Sequence, residues 1–113
     1  MNEQQILLEI AQQDPTLHQD LATLAKRHPQ LTTRATRAAW YYLQNLVESL
    51  PSGDYYVHSE HRDRTYNVTS NDITCNCPDI RNGAPTGPGN RPWCKHMIAA
   101  VFYFRYQEQK REL

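Results

Sequence analysis

Three cysteines and one histidine, which fall in two tight pairs, are the residues of this chain best suited to chemistry. Cys75 and Cys77 form a C-x-C pair, and after a gap of sixteen residues Cys94 and His96 form a C-x-H pair. Three thiolates and one imidazole make a complete ligand set for a tetrahedral structural zinc ion. Because no cysteine is left over, the spacing predicts one structural Zn²⁺ bound by these four side chains.

Two other interpretations of the same side chains stay open. The cysteines can be ordinary buried thiols beside a core histidine, or they can bind an iron–sulfur cluster together with His96. The pairing of every cysteine argues against the first interpretation. The short spacing between Cys94 and His96 argues against the second.

The elements predicted around the four residues can bring the two pairs together. Alternate residues of an extended segment point to the same side, so Cys75 and Cys77 face one ion while Asn76 turns away. Cys94 and His96 fall at the start of the last predicted helix, where unpaired N–H groups favour a thiolate. We expect His96 to donate its other ring N–H to a carbonyl or carboxylate group. Residues 78–92 contain three of the four glycines and four of the seven prolines, which predicts a loop.

The first half of the chain is predicted to be helical. Apolar residues recur at helical spacing over residues 3–13, from Pro15 to His28, and from Thr32 or Thr33 to about Leu50. Asp14 before Pro15 is typical of a helix N-cap, and Pro51-Ser52-Gly53 of a helix stop. In the third helix, Leu46, Val47 and Leu50 are predicted to lie on the inward face.

The second half changes to the pattern of strands. Alternating aromatic and β-branched residues predict strands at Tyr55–Ser59 and Thr65–Thr69, and a short third strand at Ile73–Cys77. A closing helix is predicted from Pro92 or Trp93 to about Gln109. The fold class is therefore α+β, with N-terminal helices, a small antiparallel sheet and a closing helix. Residues 1–53 are predicted to form a helical segment, and residues 54–113 a zinc-binding unit.

Around the four ligands the sequence resembles the SWIM-type zinc finger, which has C-x-C, a variable gap and C-x-H on a β-β-α unit. The matching residues are Thr74-Cys75-Asn76-Cys77-Pro78-Asp79 and Trp93-Cys94-Lys95-His96-Met97-Ile98-Ala99-Ala100. The resemblance covers roughly residues 54–107 and leaves out the N-terminal helices. It implies zinc at the four ligands and a role in binding DNA or protein partners, not in catalysis.

The residues also predict a protein that is not an enzyme and has no small-molecule substrate. A catalytic zinc keeps one position for water, whereas this ligand set fills all four with protein. The zinc-deaminase pattern and the H-E-x-x-H helix do not occur, although His58, Glu60 and His61 are neighbours. Cys94 and His96 are a poor nucleophile pair, because residues i and i+2 of a helix point apart.

Basic side chains near the predicted zinc unit are candidates for nucleic-acid contact. They are Arg62 and Arg64 in the hairpin turn, Arg81 and Arg91 in the loop, and Lys95 at the helix start. Such groups bind phosphate, and Trp93 can either stack on a base or cover the zinc site. The principal hypothesis is therefore a structural zinc module that binds DNA through these residues.

The charge balance gives no support for strong, non-specific binding to nucleic acid. Twelve basic and twelve acidic residues give a net charge of zero. A second basic cluster, either phosphate-binding or simply solvated, consists of Lys26, Arg27, Arg34 and Arg37. The alternative function is a protein adaptor whose N-terminal helices dock onto a larger intracellular partner without nucleic-acid contact.

The expected location is the cytoplasm, without association with a membrane. No apolar stretch approaches the length of about 20 residues that crosses a bilayer. The N-terminus lacks the positive start and apolar run of a secretory signal. An odd number of cysteines favours a reducing compartment, where thiols bind metal and do not form disulfides.

Overall fold

The computed structural model describes residues 1–108 of the chain. Within that range the α-helices are Glu3–Gln13 (α1), Pro15–Arg27 (α2), Thr32–Leu43 (α3), Pro78–Arg81 (α4) and Lys95–Tyr103 (α5). The strands are Val47–Ser49 (β1), Tyr55–His58 (β2), Thr65–Thr69 (β3), Thr74–Cys75 (β4), Thr86–Gly87 (β5) and Arg91–Pro92 (β6). Short 3₁₀ turns lie at Pro29–Leu31 and Pro88–Asn90, and α5 continues as a wider π-helical turn over Phe104–Glu108. The α+β class is confirmed, while the predicted helix end at Gln109 lies outside the described residues.

The first two helices begin where the sequence predicts them. The side chain of Asn2 accepts a hydrogen bond from the Gln5 N–H at 2.9 Å, and the Gln5 side chain accepts one from the Asn2 N–H. Asp14 ends α1 and caps α2, because its Oδ1 accepts a hydrogen bond from the Leu17 N–H at 3.0 Å. Such side-chain caps satisfy N–H groups that have no partner inside the helix.

The third helix ends at Leu43, so the prediction that it runs to about Leu50 is wrong. Asn45 adopts a left-handed backbone conformation, with φ of 59°. Its N–H donates to the Tyr42 carbonyl, and the Leu46 N–H donates to the Tyr41 carbonyl, both at 3.1 Å. This pair of bonds is the Schellman motif, which closes a helix with a residue in the left-handed region. The chain then leaves the helix, and β1 pairs with β2.

Replacing Asn45 with valine is expected to lower the free energy of unfolding by about 1–2 kcal/mol. A β-branched side chain is strained at positive φ, whereas Asn45→Gly keeps the conformation available and should stay close to the native stability. Urea denaturation of the two variants measures the difference. Equal stabilities of the valine and glycine variants would contradict this account of the helix end.

The larger sheet is antiparallel, with strand order β1-β2-β3-β4. Val57 lies opposite Val47 and Tyr66, and Val68 lies opposite Tyr55 and Cys75. Tyr55, Val57, Val68 and Cys75 are buried, in keeping with one face of the sheet turned to the core. The first two predicted strands are confirmed within one residue at their ends.

The fourth strand is shorter than predicted because its two ends bend away from the sheet. Ile73 has a positive φ of 44°, which interrupts the extended conformation before the strand. Cys77 is already the N-cap residue of α4. Only Thr74 and Cys75 therefore pair with β3.

Helix α3 lies between the first two helices and α5, which also packs on the sheet. The buried side chains of α1, α2, α3, the sheet and α5 form one hydrophobic core. Strand β1 belongs to the predicted N-terminal segment but pairs with β2 of the predicted zinc unit. Segments on both sides of residues 53 and 54 thus share a core, and the division into two domains stays a prediction.

The long loop after the C-x-C pair is anchored on the corner between α2 and α3. The Gln30 amide donates to the Thr86 carbonyl at 2.7 Å, and the Trp93 indole N–H donates to the Pro88 carbonyl at 2.9 Å. A Cβ atom at Gly87 would lie 2.7 Å from the Leu31 side chain and 2.9 Å from Trp93. Glycine at this position therefore permits the close approach of loop and corner.

Each helix within residues 1–108 is too short or too polar to span a bilayer.

Candidate metal centre

The four predicted ligands form one buried cluster. Their ligand atoms all lie within 4.8 Å of one another. His96 Nδ1 is 3.7 Å from Cys75 Sγ and 3.8 Å from Cys94 Sγ. A tetrahedral zinc ion has Zn–S and Zn–N bonds of about 2.3 and 2.0 Å, which separate its ligand atoms by about 3.5–3.8 Å. The cluster can therefore hold one metal ion, and both its donors and its dimensions suit Zn²⁺.

The C-x-C pair lies where β4 passes into α4. Cys75 ends the strand, and Cys77 is the N-cap residue of the helix. Both cysteines are buried while Asn76 is exposed, as the i, i+2 geometry of an extended segment predicts. The Asn76 side chain instead accepts a hydrogen bond from the Asn67 N–H at 2.9 Å. This bond holds the segment against β3 and keeps the two sulfur atoms on the same side.

The C-x-H pair lies at the start of α5. Cys94 is the N-cap residue with an extended backbone, and His96 is in the first turn. Two of the three thiols, those of Cys77 and Cys94, thus occupy N-cap positions, where unpaired N–H groups favour the thiolate. Helix α4 was not predicted from the sequence. The proline that follows Cys77 was its available signal, because proline is common at the first position of a helix.

The three thiols are so close together that the ionisation of one affects the pKa values of the other two. The pKa of Cys77 is lowered because the thiols of Cys75 and Cys94 donate hydrogen bonds to it. The same bond to Cys77 raises the pKa of Cys75 to about 11, and bonds to the other two sulfur atoms raise that of Cys94. Ionisation of all three neighbouring thiols is therefore costly without a cation, because like charges repel one another. A divalent cation changes this balance, since a coordinating thiol is deprotonated.

Two tyrosine rings orient the imidazole of His96. The Tyr66 ring stacks on it with a centroid distance of 4.3 Å and an interplanar angle of 23°, and Tyr41 lies at 6.0 Å. The sequence predicted a carbonyl or carboxylate partner for the second ring nitrogen. Among residues 1–108, the hydrogen-bond contacts of His96 are those of Nδ1 with sulfur. Within this range, aromatic stacking takes the place of the predicted hydrogen bond.

An ion pair connects α4, the short helix that follows the C-x-C pair, to helix α3. Arg34 of α3 donates two hydrogen bonds to the Asp79 carboxylate, each 2.8 Å long. The Arg34 guanidinium lowers the pKa of Asp79, and Asp79 in turn raises that of Arg34. Arg34 was predicted to belong to a basic cluster, and its ion pair with Asp79 was not predicted. No local signal could have found it, because the two residues are 45 positions apart.

A double-mutant cycle with Arg34→Ala and Asp79→Asn is expected to give a coupling energy of about 1 kcal/mol at neutral pH. The value is modest because about a third of each side chain is exposed. Since folding lowers the pKa of Asp79, this stabilisation is present at neutral pH and is lost as the pH falls through that lowered pKa. Denaturation midpoints of the four proteins provide the measurement.

The pair Arg37 and Glu60 is the matched control for that cycle. Its closest nitrogen–oxygen distance is 3.6 Å, and its side chains are similarly exposed. We therefore expect a smaller coupling energy for Arg37→Ala and Glu60→Gln. Equal coupling in the two cycles would contradict a special role for the two-bond geometry of Arg34 and Asp79.

The five basic residues predicted to bind DNA lie on separate short segments. Arg62 and Arg64 are in the exposed turn between β2 and β3, Arg81 is in α4, Arg91 is in β6, and Lys95 starts α5. Three of the arginines donate to backbone carbonyls, those of Asn45 (from Arg62), Asn76 (from Arg81) and Asp72 (from Arg91). The Lys95 ammonium lies 5.3 Å from the centre of the Tyr41 ring. DNA contact by these residues stays a prediction.

The neighbouring residues His58, Glu60 and His61 have partners on different elements. His58 contacts the Thr65 hydroxyl at 2.9 Å and the Glu48 carboxylate at 3.5 Å. Glu60 points to Arg37 of α3 at 3.6 Å, and His61 is exposed. His58 ends β2, whereas Glu60 and His61 follow in the turn, so the partners of these side chains lie on different elements.

The cluster is of the kind found in zinc fingers, with three cysteines and one histidine at the junctions of a small sheet and a helix. Its identification depends on the donor atoms and their geometry. In comparisons with known proteins, no family model, no curated protein and no solved structure matches the chain.

Proposed function

We propose that the chain is a non-catalytic zinc module of the SWIM type, in which one Zn²⁺ connects β4, the long loop and α5. The observation that carries this proposal is the buried cluster of four ligand atoms, all within 4.8 Å of one another. The order of the motif along the elements also supports it. The C-x-C pair follows a strand and the C-x-H pair starts a helix, as the resemblance implies.

A structural role for the ion is supported by the number and burial of its ligands. Four protein ligands complete a tetrahedron, so a bound zinc ion keeps no position for a reacting water. At most 5% of each ligand side chain is exposed. The ion would cross-link segments of the chain and would not polarise a substrate.

The metal itself can be tested on the purified full-length chain. Native mass spectrometry is expected to give one Zn²⁺ per chain, and Co²⁺ substitution is expected to give the visible absorption of a tetrahedral thiolate site. Iron together with inorganic sulfide would instead identify an iron–sulfur cluster. A chain that keeps its fold and its thermal transition without any metal would refute the proposal.

For the partner, we propose a protein that binds beside the zinc centre. The support is the distribution of exposed apolar side chains within residues 1–108. On α1 the exposed large apolar residue is Leu8, whereas Ile73, Val101 and Phe104 gather in one groove of the zinc unit. Exposed apolar side chains that cluster in this way are typical of interaction surfaces. This proposal moves the adaptor surface from the N-terminal helices to the zinc unit.

DNA binding is the second candidate function, supported by the exposure of Arg62, Arg64 and Arg81. Fluorescence anisotropy with a short DNA duplex and with a single strand, each at low and high salt, tests it. Affinity that falls steeply with salt and drops in Arg62→Ala/Arg64→Ala would support this function. The control, Lys26→Ala/Arg27→Ala, removes the same charge from the exposed end of α2. An unchanged affinity of the Arg62→Ala/Arg64→Ala variant, or no binding at low salt, would refute contact by the hairpin turn.

A further inference from the structure

An apolar groove opens between the sheet and the last helix, and none of its lining residues belongs to α3. Its volume is about 470 Å³, which falls in the range of sites that accommodate a drug-sized ligand or a few side chains. It is lined by Tyr55, Val68, Ile73, Val101, Phe104 and Glu108, among others. The strands supply one wall, and α5 with its π-helical continuation supplies the other.

The apolar walls of this groove are unusually exposed for this chain. The exposed fraction is 37% for Ile73, 41% for Val101 and 46% for Phe104. These three account for half of the six exposed large apolar side chains in the range 1–108. Covering them would remove apolar surface from water, which is the main favourable term in most protein association.

Two polar atoms in the groove lack partners in the described part of the chain. Glu108 Oε1 and Thr69 Oγ1 are both buried, and neither has a hydrogen-bond partner among residues 1–108. Burial, the negative charge of Glu108 and a hydrogen bond to its carboxylate raise the pKa of Tyr55 to about 12, so the Tyr55 hydroxyl stays neutral. Glu108 is the one acidic residue among those that line the groove, and a cationic side chain from a partner would pair with its carboxylate.

Hydrogen bonds to α2 and α3 hold the helical wall of the groove in place. In the π-helical turn, Phe104 and Glu108 line the groove, while the Tyr106 hydroxyl donates to Asp20 of α2. The Gln107 amide donates to the Tyr42 hydroxyl of α3 at 2.7 Å. Turns of this kind are frequent at functional sites. Because the wall is anchored on α2 and α3, binding at the groove needs little additional ordering of the chain.

We infer that this groove binds a segment of a partner protein that presents a bulky apolar side chain next to a lysine or arginine. The apolar side chain would cover Ile73, Val101 and Phe104, and the cation would reach the Glu108 carboxylate. This inference rests on the proposed protein-binding function and adds the chemistry of the partner. It disfavours nucleic acid at this surface, since a phosphate would meet a carboxylate.

The probe for this site is a randomised peptide library displayed on phage and selected on the zinc-loaded chain. We expect enriched peptides to carry an aromatic or branched apolar residue beside lysine or arginine. Their affinity should fall about tenfold or more for Val101→Glu, because a hydrated carboxylate replaces an apolar wall of the groove. Leu8→Glu is the matched control, because Leu8 is 65% exposed and lies on α1. It should leave binding unchanged.

A separate variant tests the expected preference for a cationic side chain in the peptide. Glu108→Gln should weaken peptides that contain lysine by roughly fivefold and abolish their advantage over peptides with glutamine in its place. Glu48→Gln, at an exposed position of β1, is the control with the same change of charge. All four variants should retain one zinc ion by native mass spectrometry, which separates failure at the groove from failure of the zinc fold.

Several results would overturn the inference. They are enrichment of acidic peptides, enrichment of no sequence, equal binding to the Val101→Glu chain, and competition by a DNA duplex. Dimerisation of the chain that is abolished by Val101→Glu, measured by sedimentation, would identify a second copy as the occupant and would also overturn it. If the chain binds no zinc, the proposed function fails whatever the groove binds.

Discussion

Cys94→Ser is expected to abolish high-affinity zinc binding and to unfold the zinc unit at neutral pH. Structural zinc in small domains contributes about 10 kcal/mol or more of apparent binding free energy. This free energy is comparable to the total stability of a natural domain, which is about 5–15 kcal/mol. The Cys94 side chain is fully buried in the core, so the variant would also leave a hydroxyl and two thiols without their shared ion. Metal content and the thermal transition measured on the same sample test the prediction.

The control for this variant is Thr74→Ser, which changes a side chain next to Cys75 and leaves all four ligands in place. Thr74 is exposed, so the change should alter stability by no more than about 0.5 kcal/mol. A Cys94→Ser chain with native zinc content and a native melting temperature would refute a structural metal. Loss of zinc without loss of folding would show that the core alone stabilises residues 54–108.

Ile10→Ala is expected to lower the free energy of unfolding by about 2–5 kcal/mol, the usual cost of emptying a buried aliphatic position. Ile10 of α1 has no exposed surface and belongs to the same hydrophobic core as the three cysteines. If that core unfolds as one unit, the midpoint of zinc release should shift together with the loss of helical circular dichroism. Chemical denaturation, monitored by circular dichroism and by a zinc-sensitive dye, measures both.

Leu8→Ala is the matched control for Ile10→Ala. It removes a similar side chain from the same helix, but Leu8 is 65% exposed, so the expected change is within about 0.5 kcal/mol. Zinc release that stays at the native midpoint in Ile10→Ala would mean that the N-terminal helices and the zinc unit unfold independently. That result would support the predicted division at residues 53 and 54.

Much of the fold could be predicted because its signals are local. The capping residue Asp14, with proline after it, marks the place where α1 ends and α2 begins. The alternation in Thr65–Thr69 predicts β3 to the residue. The C-x-C pair was predicted from its spacing, because i, i+2 neighbours in an extended segment point the same way. The C-x-H pair was predicted from its position at the start of the last helix.

The errors arise where a distant segment decides the outcome. Leu46 and Val47 fit the apolar stripe of α3, but the backbone turns at Asn45 and β1 pairs with β2. Both residues are buried, so the prediction that they face the core is confirmed. The prediction that they lie in a helix is wrong. The predicted loop 78–92 likewise contains ordered elements, because it packs on Gln30 and Leu31 of the α2–α3 corner.

The candidate metal centre could be recognised from the sequence, because three thiols and one imidazole in two short pairs are the donor set of structural zinc sites. The sequence also determined the class of fold, since capping residues and apolar periodicity act within a few residues. Only the tertiary structure decided the stacking of Tyr66 on His96, the ion pair of Arg34 with Asp79, and the groove beside Val101. These features join segments that are remote in the chain, and their partners are selected by packing across the whole core.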